Sequence, residues 1–156
     1  FEGRYYSVSG LHPGPPPAHP IGIWLGVDKP RALALTGRLA DGWVSPLMSY
    51  APPEGAPALQ RRIDEAAAEA GRRPAEIRRV YNLPGEITDA PTGERLQGPV
   101  EHWVETLTGF ALELGFDTFI LWPGGGDAPR QVERFAQEVA PQVREEVERT
   151  RGRSAA

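Results

Sequence analysis

The sequence predicts an α/β fold of four strand–helix units whose strands run parallel. Three observations carry this. Short apolar runs at 21–27, 41–46, 76–87 and 117–122 alternate with segments whose apolar residues recur every three or four positions. The helical segments return to strands through short connections, such as the Asp41-Gly42 pair in GRLADGWVSP. The connections after the strands are longer and rich in Gly and Pro. Alternation of this kind means right-handed crossovers and a parallel sheet, with ligands binding beyond the carboxyl ends of the strands.

Residues 1–20 form an extended arm, because LHPGPPPAHP favours polyproline and turn geometry and cannot sustain a ladder. IGIWLGV (21–27) reads as a strand buried on both faces. PRALALTGRLA (30–40) opens with Pro at a first-turn position and aligns Leu33, Ala34, Gly37 and Ala40. DGWVSP then supplies the second strand. In 57–71 the inward face is Leu59, Ile63, Ala66, Ala67 and Ala70, and Gly71 is the stop.

EIRRVYNLPGEI (76–87) predicts a third strand interrupted by Pro84. The helix at 99–115 places Val100, Trp103, Val104, Leu107, Ala111 and Leu114 inward and closes on Gly115. DTFILW is the clearest strand. A final helix follows, with Val132, Phe135, Ala136, Val139, Val143 and Val147 inward and a bend at Pro141. The units fill 21–150 as one domain, leaving 151–156 as a disordered tail.

Length and composition agree with one soluble domain. The chain has 156 residues, 40% hydrophobic and 24% charged, which points away from disorder and from a membrane protein. The net charge of -4, with basic residues scattered among acidic ones, argues against nucleic acid as a partner. Cys is absent, which excludes disulfides and thiolate metal sites and suggests a cytoplasmic location. The opening FEGRYYSVSG, without Met, reads as the middle of a longer segment.

Several successive stretches resemble one family. These are IGIWLGV with PRALALTGRLADGWVSP, IDEAAAEAGRRPAEIRRVYNLPGEI, HWVETLTGFALELGFDTFILWP and QVERFAQEVAPQVRE. Their ordered set is similar to the C-terminal half of bacterial-luciferase-like oxidoreductases, TIM-barrel enzymes that use FMN or the deazaflavin coenzyme F-420 (F420). The resemblance implies a (βα)4 half-barrel, strands five to eight of the family barrel, acting by hydride transfer or oxygen activation on a small organic molecule. The family's first half has no counterpart here. A half-barrel leaves two strand edges and one concave face uncovered. The expectation is therefore a homo-oligomer, as a dimer approximating a closed barrel, or a separate N-terminal half. A catalytically inactive half-barrel that self-associates as a structural or ligand-binding module is the alternative reading.

The resemblance also implies site residues. Leu25, Gly26 and Val27 end the strand that approaches a cofactor phosphate through backbone amides; Gly permits close approach and the next helix N-terminus favours an anion. Relatives commonly carry a second Gly where this chain has Val27, and Asp28 adds an unhelpful charge. A plain strand-to-helix loop is the alternative. Ser45 joins the cofactor side, while Pro46 and Met48 face the pocket mouth, with a Pro-ended turn as the alternative. Asn82 is a candidate polar contact inside the barrel, or a local strand-end hydrogen bond.

WPGGGDAPR (122–130) lacks the Lys-Ser or Lys-Thr of a nucleotide loop and reads as a flexible connection or the generic phosphate site of barrels. Trp24, Trp43 and Trp103 are expected to fill the layers rather than stack on a cofactor, with Trp122, at a strand's top end, the exception and a candidate of the substrate pocket together with Pro46, Met48 and Asn82. His12, His19 and His102 have no ligand pair at helical spacing, so no metal is expected. No catalytic residue is identified.

Overall fold

The computed structural model describes residues 1–12 and 14–154. Pro13, part of the expected proline arm, lies outside the described residues, as do positions 155 and 156 of the expected tail. Five strands form one parallel sheet: β1 (Trp24–Gly26), β2 (Gly42–Val44), β3 (Arg78–Ile87), β4 (Gln97–Gly98) and β5 (Thr118–Pro123). β2 lies between β1 and β3, and β5 pairs with β3 in the register Val80↔Thr118 to Gly85↔Pro123. The helices are α1 (Pro30–Leu39), α2 (Ala56–Glu69), α3 (Val100–Leu112), α4 (Ala128–Arg134) and α5 (Ala140–Ser154). The arm folds on itself, with an isolated bridge between Glu2 and Ser7.

The return from α1 to β2 is built around Asp41. Its carboxylate accepts from the Ile23 amide at 2.8 Å, and its own amide donates to the Ile23 carbonyl at 2.8 Å. Gly42 follows because the Trp24 ring lies on it: a Cβ there would come within 2.6 Å of Trp24 Cδ1. Arg72, beyond the end of α2, donates to the carbonyls of Gly37 and Ala40 at 2.8 and 2.9 Å and satisfies the C-terminal carbonyls of α1.

The helices cover one face of the sheet. Leu33 of α1, Ile63 and Ala67 of α2, Trp103, Leu107 and Phe110 of α3, and Val143 of α5 pack with Trp43, Tyr81 and Leu83. Tyr81 meets Phe116 at 4.4 Å and Phe110 at 5.4 Å between ring centroids, pairs worth ~0.5–1.5 kcal/mol each beyond burial. On the alternate positions of the same strands Trp24 and Trp122 are exposed and Val44 and Ile120 half-buried, while Gly42, Val80 and Asn82 are buried. The described residues thus form a helix-backed sheet with a second face left open.

The structure corrects several expectations. The strand expected over 21–27 is regular only at Trp24–Gly26 and is not buried; Ile21, Ile23 and Trp24 are 68%, 64% and 45% exposed. It is an edge strand paired with β2 alone among the described residues, so one margin and one face lack cover. Trp24 therefore joins Trp122 outside the core, while Trp43 and Trp103 are fully buried.

Pro84 does not interrupt β3. Arg79 and Gly85 carbonyls face β5, and the Val80 carbonyl and Glu86 amide face the opposite side. By that alternation the nitrogen of Pro84 points to the side where β2 has ended and β4 has not begun, so no ladder donor is lost.

The final helix runs without a break from Ala128 to Ser154 but changes type on the way. A π-helical turn, Phe135–Val139, separates α4 from α5 just before Pro141, whose missing N–H disturbs the ladder. The altered phase leaves Val132 51% exposed and Ala136 exposed, while Val139 and Val143 stay buried. Nor is 151–156 a disordered tail throughout: α5 continues to Ser154, with Arg151 and Arg153 in its last turn where cations favour the helix dipole.

Candidate functional site

The carboxyl ends of β1, β2, β3 and β5 gather most of the sequence-predicted site residues. Three of them form one hydrogen-bonded chain. Trp122 Nε1 donates to Asn82 Oδ1 at 2.7 Å, and Asn82 Nδ2 donates to the Ser45 carbonyl at 2.6 Å. Ser45 in turn holds the sheet, its amide donating to the Val80 carbonyl at 2.8 Å. The two bonds fix the Asn82 amide orientation, because its oxygen can only accept and its nitrogen only donate. The Ser45 hydroxyl is spent on the Pro46 carbonyl at 3.3 Å. Ser45 and Asn82 are buried and Trp122 is 55% exposed, so the chain runs from the sheet interior to its open face.

Leu25, Gly26 and Val27 lie beside this group, with Gly26 in register with Val44. A Cβ at Gly26 would meet nothing closer than the Val44 carbonyl at 3.9 Å, so the space over this backbone is open. Val27 is anchored from below: Trp43 Nε1 donates to its carbonyl at 2.8 Å. Asp28 is paired with Lys29 at 2.9 Å, which offsets its charge. Lys29 caps α1 without a side-chain hydrogen bond, leaving the first-turn amides to other acceptors. Pro46 is half-buried, and Met48, also half-buried, packs against the hydrophobic core.

Other supporting residues had no signal in the sequence. Gln131 of α4 brackets the end of β3, accepting from the Ile87 amide at 2.7 Å and donating to its carbonyl at 3.1 Å. Arg134 donates to the same carbonyl at 3.1 Å. Tyr81 hydroxyl donates to the Ala51 carbonyl at 2.9 Å and ties the loop after β2 to the core. Burial pushes the Tyr81 phenol up to about 12. Asp127 of the Gly-rich loop accepts from the Arg130 amide at 3.1 Å as the N-cap of α4. Among the described residues no cluster of three or more His, Asp or Glu is placed to hold a metal, and no helix is long and apolar enough to cross a membrane.

Parallel strands, one helix-covered face and polar groups converging at the carboxyl ends define a parallel α/β protein, the architecture from which TIM barrels are built. The family model of luciferase-like monooxygenases matches residues 1–92, and the chain belongs to that family. It is 34% identical over 77 residues to an F420-dependent glucose-6-phosphate dehydrogenase of Nakamurella multipartita, a match covering 49% of this chain and 22% of that protein. It is 33% identical over 131 residues to a phthiodiolone/phenolphthiodiolone dimycocerosates ketoreductase of Mycobacterium kansasii, covering 80% of this chain and 32% of that one.

Solved structures share the fold. An F420-dependent secondary alcohol dehydrogenase aligns with a TM-score of 0.71 at 16% identity, over 92% of this chain and 55% of that one. The F420-dependent tetrahydromethanopterin reductase of Methanopyrus kandleri aligns with a TM-score of 0.65 at 17% identity, over 79% and 51%. The chain thus spans about half the length of these structures and less than a third of the curated relatives it matches.

Proposed function

We propose that this chain is the (βα)4 half, strands five to eight, of a luciferase-like oxidoreductase that transfers hydride at an alcohol or carbonyl carbon using F420. The observation that carries this reading is the open sheet face at the strand ends, where Gly26 leaves its backbone accessible and the Ser45–Asn82–Trp122 chain presents an indole. The choice of F420 over FMN, and of an alcohol–carbonyl couple, is supported by relatives and fold neighbours named as F420-dependent dehydrogenases and as a ketoreductase.

The residues present fit one side of such a cofactor. The deazaflavin, when bound, supplies a carbon hydride acceptor and donor. The chain's own part is binding and orientation. The bare backbone at Gly26 and the uncapped first turn of α1 suit a phosphate. Ile120 and Trp122 offer an apolar wall to a planar ring, with water excluded by whatever covers the face. Ser45 has its hydroxyl turned to Pro46, and Asn82 does not titrate, so these residues position and do not transfer protons. Completion of the face requires either a second copy, giving a dimer, or a separate N-terminal half.

The test is a titration of the purified chain with F420 and with FMN, followed by visible absorbance, alongside its mass by sedimentation. Saturable F420 uptake that is lost in Gly26→Leu with an unchanged circular dichroism spectrum supports the assignment. Uptake of FMN alone reassigns the cofactor. No uptake of either by an assembled species leaves a structural or ligand-binding module.

A further inference from the structure

Resting on that reading, we infer that Trp122 is a preset stacking platform for a planar heterocyclic ring, and that Asn82 is the positioning residue that holds it in place. A tryptophan at a sheet surface ordinarily satisfies its N–H with water and keeps its rotamers. Trp122 is 55% exposed, yet its N–H is committed to the buried Asn82 at 2.7 Å. Asn82 is itself 8% exposed and braced by the Ser45 carbonyl at 2.6 Å, so the indole is tied through one side chain to the backbone of β2.

The register adds direction. Trp122 pairs with Pro84, and Asn82 pairs with Ile120 two residues back. The hydrogen bond therefore crosses the ladder diagonally and draws the ring back over the open face. Pro84 opposite has no long side chain to compete for that space. Trp24, the other exposed indole on this face, finds no acceptor for its N–H among the described residues and rests on Gly42. One of the two rings is thus held and the other only packed. Ordering a side chain before the ligand arrives removes that cost from binding, about 0.5–1.5 kcal/mol, or roughly three- to tenfold in affinity.

The experiment uses the chain labelled with 5-fluorotryptophan, whose four tryptophans are read separately by fluorine NMR. Asn82→Leu should move the Trp122 resonance toward the free-indole position while those of Trp43 and Trp103 stay in place. Asn82→Asp, read at acidic pH where a protonated carboxyl offers both an acceptor for the indole and a donor for the Ser45 carbonyl, should restore the Trp122 resonance, a rescue that loss of packing would not produce. Asn82→Ser serves in place of the leucine variant if the latter does not fold. FMN and F420 are then the probes: the ligand should shift Trp122 saturably, with affinity reduced about three- to tenfold in the leucine or serine variant.

A Trp122 resonance indifferent to Asn82 overturns the positioning role. A ligand that moves Trp24 and leaves Trp122 unmoved overturns the platform. If neither probe binds an assembled species, the cofactor reading and the platform both fail, while the hold of Asn82 on Trp122 is decided by the ligand-free comparison alone.

Discussion

The indole of Trp43, fully buried under the sheet, donates to the Val27 carbonyl at 2.8 Å and so fixes the end of β1 from the helix side. A core residue thereby sets the position of the loop that carries the proposed phosphate contact. Trp43→Phe should lose this hydrogen bond and leave a void, costing roughly 2–3 kcal/mol in chemical denaturation. Hydrogen exchange should rise selectively at 25–29. A variant equally destabilised but with unchanged exchange there would detach Trp43 from the site.

Gly37 is where α1 and α2 come closest. A Cβ would overlap the Ile63 carbonyl and fall within 2.9 Å of the Ala66 side chain. Replacing Gly with Ala in a helix ordinarily stabilises by ~1 kcal/mol, but overpacking against a backbone costs ~1–3 kcal/mol. Gly37→Ala is therefore expected to be destabilising overall, by up to roughly 2 kcal/mol in urea unfolding. A more stable variant would show that the helices part easily.

Tyr81 predicts an alkaline limit to stability. Burial raises its folded-state pKa from 10.0 to about 12, so the unfolded chain gives up the proton first. Its contribution is whole below about pH 10 and is lost as pH rises toward about 12, a decline of up to ~2 kcal/mol. Urea midpoints measured across that window should fall more steeply for the parent chain than for Tyr81→Phe. Parallel curves would assign the alkaline loss to other groups.

Gln131→Leu removes both bonds that bracket Ile87. The Ile87 carbonyl keeps Arg134, but the amide is left without its acceptor, a cost of ~1–3 kcal/mol for a buried group. Gln131→Glu, which retains an acceptor for that amide, is expected to lose less than the leucine variant. Equal losses in thermal unfolding would mean that packing, not the hydrogen bond, is what Gln131 provides.

Arg79 is buried with Nη1 unpartnered among the described residues and Nη2 on Asp64, and burial holds its pKa below the ordinary arginine range. Arg79→Met is expected to change stability by less than ~1 kcal/mol, whereas Asp64→Ala, which strands the buried cation, should cost about 2–3 kcal/mol, discounted for the partial exposure of Asp64. The reverse order in denaturant titration would show the ion pair to be a net stabiliser.

Local pattern determined much of this protein. The period of Ile63, Ala66 and Ala67 in α2, and of Trp103, Leu107 and Ala111 in α3, marks the residues that are buried. Asp41-Gly42 announces the tight return to β2. These features depend on neighbours within a turn or two, so they are written in consecutive residues. Tertiary structure decided the rest. The bonds joining Ser45, Asn82 and Trp122 span 37 and 40 positions, and Gln131 reaches Ile87 across 44. The passage of β3 through Pro84 depends on where β2 stops, and the exposure of Trp24 on which margin of the sheet lacks a neighbour. Such outcomes are set by which segments lie side by side in space, and no single segment's periodicity records that.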